Sequence, residues 1–313
     1  MSLATSLDEE SPQGQALSRE RNSTVFNGHT LANLNETPKK NHDWADVFGL
    51  VEITNPERRR ALASACLIEF VGTLAFEMMH VMIVSIGING GSDPPYGPIA
   101  LAHGVLLTLL IYCFVNSSGA HFNPLITFAT MTTGQTKPIR AFFYIAVQIA
   151  GAALGAKALS NEIGGEALRD FGGSALIFPA CTKGMLSDSS AWIFEMLMDL
   201  TLLYSVYGLA LDPVQGKLYG PVGPIGIGLM LALLIWTSFS LSSAVGFTWG
   251  GNPAFCVGSA VGDNTCQFSD DCDSTKPSSQ LWYSFVGAFT ASVVHWAIYI
   301  LAPPSLPKGE KAT

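Results

Sequence analysis

Apolar residues in this chain come in long, nearly uncharged blocks rather than in the narrow stripes or alternations of a water-exposed core. The blocks cover residues 61–88, 98–116, 139–160, 191–211, 220–244 and 281–302. Each is close to or above the roughly 20 residues an α-helix needs to cross a bilayer. The pattern predicts an all-α membrane protein with six transmembrane helices. Two further apolar runs are too short to cross: Leu125–Met131 after Asn123-Pro124, and Ala254–Val261 after Asn252-Pro253. Asn suits a helix N-cap and Pro the first helical position, so each pair marks the start of a short helix. Beside full spans, such helices read as re-entrant half-helices, because irregular backbone at that depth is tolerated only where it is buried or lines a cavity.

Composition and charge sharpen this picture. Hydrophobic residues make up 49% and charged residues 13%, the latter about half the share of a soluble domain. Mean hydropathy is +0.34. Residues 1–58 are polar without an apolar period and are expected to form a mostly disordered tail; no apolar core marks them as a cleaved leader. The expected channel domain is 59–303, followed by a short tail, 304–313. Arg58-Arg59-Arg60 stands directly before the first span, and alternation puts Lys137, Arg140, Lys217, Lys308 and Lys311 on the same side. The other side holds Arg169, Lys183 and Lys276 among acids such as Asp93, Glu162, Glu166, Asp170 and Asp188. The positive-inside rule therefore places both termini in the cytoplasm. A multi-pass protein of the plasma membrane, surrounded by lipid, is the expectation; no basic stripe points to nucleic acid.

The two halves echo each other. Repeat one, about 61–160, carries Glu69 early in its first span and then Asn123-Pro124; repeat two, about 190–302, carries Glu195 and then Asn252-Pro253 at a nearly equal separation. With three spans each, the repeats must be inverted relative to one another, a plan that places the working site between them near the midplane. The positive ends of the two half-helix dipoles and the amides of Asn123 and Asn252 would then surround one point. Small neutral solutes exchange hydrogen bonds there, whereas cations and protons meet an electrostatic barrier. A secondary transporter would normally carry a charged pair at that level to couple ions, and a non-conducting scaffold is the third reading. No nucleophile–base set, metal cluster or cofactor motif suggests an enzyme.

Ala102-His103-Gly104, Ser118-Gly119-Ala120-His121-Phe122-Asn123-Pro124, Gln148-Ile149-Ala150-Gly151-Ala152, Asp212-Pro213 and Asn252-Pro253-Ala254 resemble the signatures of the major intrinsic protein family, the aquaporins and aquaglyceroporins, over roughly 61–302. The resemblance implies a right-handed six-helix bundle with one pore per subunit, assembled as a homotetramer. It also implies, as the symmetry of the repeats suggests, that Glu69 and Glu195 accept hydrogen bonds from the re-entrant loops. Leu125 in the third place of the first motif, and Cys256 two places after Ala254, resemble the X-intrinsic subfamily. That likeness implies hydrogen peroxide, glycerol, urea or boric acid as solutes rather than rapid water flow. The family's selectivity filter would fall on His103, Trp249, Phe255 and a span-five residue, Ile235 or Ser240, the stretch before Asn252 being longer than usual. Phe255 stands where the family usually has Arg, so a fixed charge and its fork of donors are absent.

Other side chains have plainer readings. An unperturbed His titrates near neutral pH, which leaves His103 open as a charge gate or as a neutral wall residue. His121 is expected to be structural, as is Gln148. Glu77 with His80 at i+3 reads as a local polar pair, and Asp199 has no symmetric counterpart. Gly151 and Gly155 form a small-xxx-small step for close helix packing. Of six cysteines, Cys66 and Cys113 read as packing residues. Cys181, Cys266 and Cys272 fall outside, where disulfides form: Cys266 with Cys272 across the acidic loop 263–273, or Cys181 with either. Cys256 beside the filter reads as a redox or mercurial target.

Overall fold

The protein is seen in a computed structural model that describes residues 44–89, 95–160, 181–262 and 281–303. In chain order its helices are α1 (Trp44–Phe48), α2 (Val51–Thr54), α3 (Pro56–Asn89), α4 (Tyr96–Ser118), α5 (Pro124–Thr132), α6 (Pro138–Leu159), α7 (Asp188–Val206), α8 (Gly216–Tyr219), α9 (Gly223–Val245), α10 (Pro253–Gly262) and α11 (Trp282–Leu301). Six of them (α3, α4, α6, α7, α9 and α11) are long and apolar enough to cross a membrane, α7 continuing through a wide helical turn at Tyr207–Leu211. Helices α5 and α10 are the two half-helices.

The described residues just before the first span are held in place by a short helical segment and an ion pair. Residues 44–48 and 51–54 are helical, and Glu52 is buried against Arg140 of α6, Oε2 to Nε 3.0 Å. Span one then starts by the same Asn-Pro device as the half-helices: Pro56 opens α3 while Asn55 Oδ1 accepts from the backbone N–H of Glu57 at 2.9 Å and Arg58 at 3.3 Å. An anchored ion pair and a good cap overcome the weak apolar content of this segment.

Packing follows the inverted repeat. Helix α3 lies on α6 in the first half, and α7 on α11 in the second. Lipid tails are as apolar as leucine, so close van der Waals contact through small residues holds such pairs together. A Cβ on Gly151 would sit 2.5 Å from the carbonyl oxygen of Phe70, and one on Gly155 2.6 Å from that of Leu74. In the second half a Cβ on Gly287 would sit 2.5 Å from Glu195 Cγ. The repeats meet where α4 crosses α9, with Gly104 and Gly228 in backbone contact. The half-helices interlock them further: α5, from the first repeat, packs on α11 of the second, and α10, from the second, packs on α6 of the first. The outer surface carries exposed Leu67, Ile86, Leu109, Phe142 and Trp236, an apolar belt suited to lipid or to neighbouring subunits.

Candidate functional site

The loop that leads into α5 takes a costly shape. Gly119 has φ 97°, but Ala120 (φ 52°) and Phe122 (φ 49°) also occupy the left-handed region, where a residue with a Cβ loses roughly 1–2 kcal/mol. Glu69 holds this shape. Its buried carboxylate accepts from the backbone N–H of His121 at 3.0 Å and of Phe122 at 2.7 Å, from Ser118 Oγ at 2.6 Å and from Gln148 Nε2 at 2.9 Å. Gly72, one turn on, leaves room for the Phe122 ring, which would collide with any side chain there. The loop before α10 is built the same way. Gly251 has φ 51°, and Glu195 accepts from the N–H groups of Gly250 at 2.9 Å and Gly251 at 3.0 Å.

These two loops bring the half-helices together end to end. Asn123 Oδ1 caps α5 by accepting from Leu125 N at 2.8 Å, and its Nδ2 donates to the carbonyl of Gly251 at 2.8 Å. Asn252 does the same in reverse, accepting from Ala254 N at 3.1 Å and donating to the carbonyl of Phe122 at 2.9 Å. Pro124 and Pro253 are the first helical residues, and Leu125 and Ala254 are fully buried behind them. A cavity runs past both Asn side chains. His103, His121, Ile235, Trp249 and Phe255 line it, together with apolar residues such as Ile126, Val206 and Ile227. His121 is tied to the scaffold, its Nδ1 3.1 Å from Thr127 Oγ1 and its ring against Tyr144.

At the aromatic end the two span-five candidates are placed differently. Ile235 lines the cavity, while Ser240 does not and turns its Oγ back to the carbonyl of Thr237 at 2.6 Å. Trp249 is oriented by Asp199, whose Oδ1 accepts from the indole Nε1 at 3.0 Å. That is a use for Asp199 that spacing did not suggest. His103 has both ring nitrogens engaged: Nδ1 lies 2.7 Å from the carbonyl of Ile99 and Nε2 lies 2.8 Å from His80 Nδ1. The predicted Glu77–His80 pair does not form. Glu77 instead faces Ser259 Oγ of α10 at 3.4 Å, and His80 turns into the cavity, stacking on Phe255 at 4.9 Å. His80 lines the cavity without being among the filter positions expected from the sequence, although its spacing points there. Residues 69, 73, 76 and 80 share one face of a helix, so His80 looks the same way as Glu69 and Phe76.

The cysteines also pair differently from expectation. Cys256 is bonded to Cys181; it is therefore a buried bridge residue rather than a free redox target, and Cys181 is not left for Cys266 or Cys272, which lie outside the described residues. The bridge is one of several ties around the long stretch before Asn252. Met185 N donates to the carbonyl of Val245 at 2.8 Å, Thr248 N to that of Thr182 at 2.9 Å, and Tyr283 Oη to that of Thr248 at 2.9 Å. Residues 245–248 of that stretch thus lie against 182–185, beside the bridge.

Comparison with known proteins agrees with this geometry. A family model described as "Major intrinsic protein" matches residues 57–299. Similar relatives include Aquaporin TIP1-2 from Zea mays, 32% identical over 215 residues, covering 67% of this chain and 77% of the relative. Aquaporin TIP1-1 from Arabidopsis thaliana is likewise 32% identical over 215 residues, with 67% and 78% covered. Among solved structures, the aquaglyceroporin from Plasmodium falciparum superimposes with a TM-score of 0.57 at 18% identity, covering 77% of this chain and 98% of that one. At that identity the likeness speaks to the fold.

Proposed function

The chain belongs to the major intrinsic protein family and is a multi-pass membrane channel rather than an enzyme, and on that premise we propose that its passage admits small uncharged solutes such as hydrogen peroxide, glycerol and urea, with water slow. The carrying observation is the constriction. Phe255 packs on the rings of Phe76 (4.7 Å, edge-on) and His80 (4.9 Å, stacked), with Trp249 and Ile235 also on the wall and no Lys or Arg among the described residues that line the cavity. An apolar aromatic wall with one polar edge favours molecules that carry both an apolar face and hydrogen-bonding groups. Water offers only the second. The X-intrinsic resemblance at Leu125 and Cys256 supports the same solute range.

At the midpoint, two neutral amides and two half-helix N-termini make a site that neutral molecules cross and cations avoid. Glu69 and Glu195 serve this reading as scaffold carboxylates, together with Gln148 and His121. We take the channel domain to span 59–303 with both termini cytoplasmic, and a homotetramer to be the assembly. Arg58–Arg60 supports the orientation, and the exposed apolar belt supports the assembly.

Stopped-flow measurements on one proteoliposome preparation, comparing water, glycerol, urea and hydrogen peroxide, test the reading. Solute permeability well above protein-free vesicles with a small water increment is the expected result, and Phe255→Arg should raise the ratio of water to solute flux. Phe255 and Trp249 also suit a plugged, non-conducting scaffold. Assembled protein that passes none of the four would favour that alternative.

A further inference from the structure

The first span contributes a residue to the constriction that the filter positions carried over from the family do not include. We propose that His80 is the specificity-determining polar group of this filter, presenting a fixed hydrogen-bond acceptor to solutes that carry donors beside an apolar face. The proposal rests on the channel reading above and deepens it.

The tautomers follow from the partners. The carbonyl of Ile99 can only accept, so His103 Nδ1, 2.7 Å away, carries the hydrogen. In the neutral ring His103 Nε2 is then the acceptor, and His80 Nδ1, at 2.8 Å, donates to it. His80 Nε2 is left with its lone pair. It has no hydrogen-bond partner among the described residues, yet it is not among their sealed-off polar atoms, which are Glu77 Oε2, Asp199 Oδ2 and both nitrogens of His295. It therefore keeps accessible surface, on a residue that lines the cavity. The ring itself is immobilised on two sides, stacked on Phe255 at 27° and edge-on to His103 at 5.0 Å. His103 is thus the positioning residue, and His80 the one that meets the solute.

The chemistry that fits is a polyol or amide. Its O–H or N–H groups donate to Nε2 while its carbon face slides over Phe255 and Phe76, which meet edge to face at 4.7 Å. Water satisfies the acceptor but gains nothing from the rings. A fixed acceptor is also the reverse of what a guanidinium would offer in the same place.

The test uses the full chain in proteoliposomes. His80→Phe keeps a ring on Phe255 and removes both ring nitrogens. Glycerol and urea permeability relative to water should fall by about tenfold, the rate equivalent of one hydrogen bond. His80→Gln, which restores an acceptor on a side chain of similar reach, should hold that ratio within about threefold of wild type on the same scale. A ratio unchanged in His80→Phe, while wild type conducts these solutes, overturns the inference and leaves the channel reading standing. An equal fall for water and solutes marks a structural role and overturns it too. If His80→Phe does not assemble, His80→Gln decides, because a tenfold loss there contradicts the acceptor role. Wild type that passes no solute overturns the channel reading and this inference together.

Discussion

The two re-entrant loops do the same job with different means, and the difference shows what each half of the molecule depends on. In the first, one carboxylate does nearly everything: Glu69 gathers two backbone N–H groups, the Ser118 hydroxyl and the Gln148 amide, and so holds Ala120 and Phe122 in left-handed conformations. In the second, Glu195 takes only the N–H groups of Gly250 and Gly251. There the remaining work is spread over the Cys181–Cys256 bridge, the ladder from 182–185 to 245–248, and the Asp199–Trp249 hydrogen bond. Repeat one concentrates its restraint in a polar network, whereas repeat two distributes it and adds a covalent tie. The proposed orientation, with both termini cytoplasmic, puts that tie on the opposite side, where disulfides form.

That contrast breaks first at Glu69. Glu69→Ala leaves the backbone N–H groups of His121 and Phe122 and one N–H of the Gln148 amide without acceptors, a buried group of this kind costing ~1–3 kcal/mol. We expect it to abolish detergent-stable protein in size-exclusion chromatography. Glu195→Ala, with fewer donors orphaned and the bridge intact, should leave a measurable folded fraction. Next in size is the bridge, which joins residues 75 apart in sequence. Closing a loop of that length stabilises by about 4 kcal/mol in the chain-entropy account. Cys181→Ser should therefore lower the thermal aggregation midpoint in detergent, and reductant should lower that of wild type by more than that of the mutant.

Smaller effects sharpen the comparison. Gly72→Ala drives a methyl into the Phe122 ring, and overpacking of this kind costs ~1–3 kcal/mol. The expected outcome is a lower aggregation midpoint, and a Phe122→Leu second change should recover part of it. The smallest effect belongs to Asp199→Asn, which keeps an oxygen for the Trp249 indole. It should leave stability within about 1 kcal/mol and solute ratios near wild type, whereas Asp199→Leu should cost about 1 kcal/mol by removing the acceptor of a half-buried indole N–H.

Much of this was legible in the chain because it is one-dimensional. Spans announce themselves by length and lack of charge, and Asn123-Pro124 and Asn252-Pro253 announce helix starts by local chemistry. The matched places of Glu69 and Glu195 follow from the duplication. What escaped depends on contacts between segments far apart in sequence. Cys256 meets Cys181 where 182–185 lie against 245–248. Glu77 and His80 sit three residues apart, yet each prefers a partner on another helix, Ser259 for one and His103 for the other. Local pairing is worth only a few tenths of a kcal/mol, so a buried partner across the bundle wins. The ordering of 44–54 likewise needed Arg140, which lies on another helix.

The central claim is that the facing half-helices make a passive route for neutral molecules past Asn123 and Asn252. The direct measurement is glycerol flux against concentration, in proteoliposomes that also carry an internal pH dye. Flux that rises linearly with the gradient, is independent of ions and leaves the internal pH unchanged is the predicted result. Flux that saturates and requires a proton or sodium gradient, or that moves protons along with the solute, would contradict it.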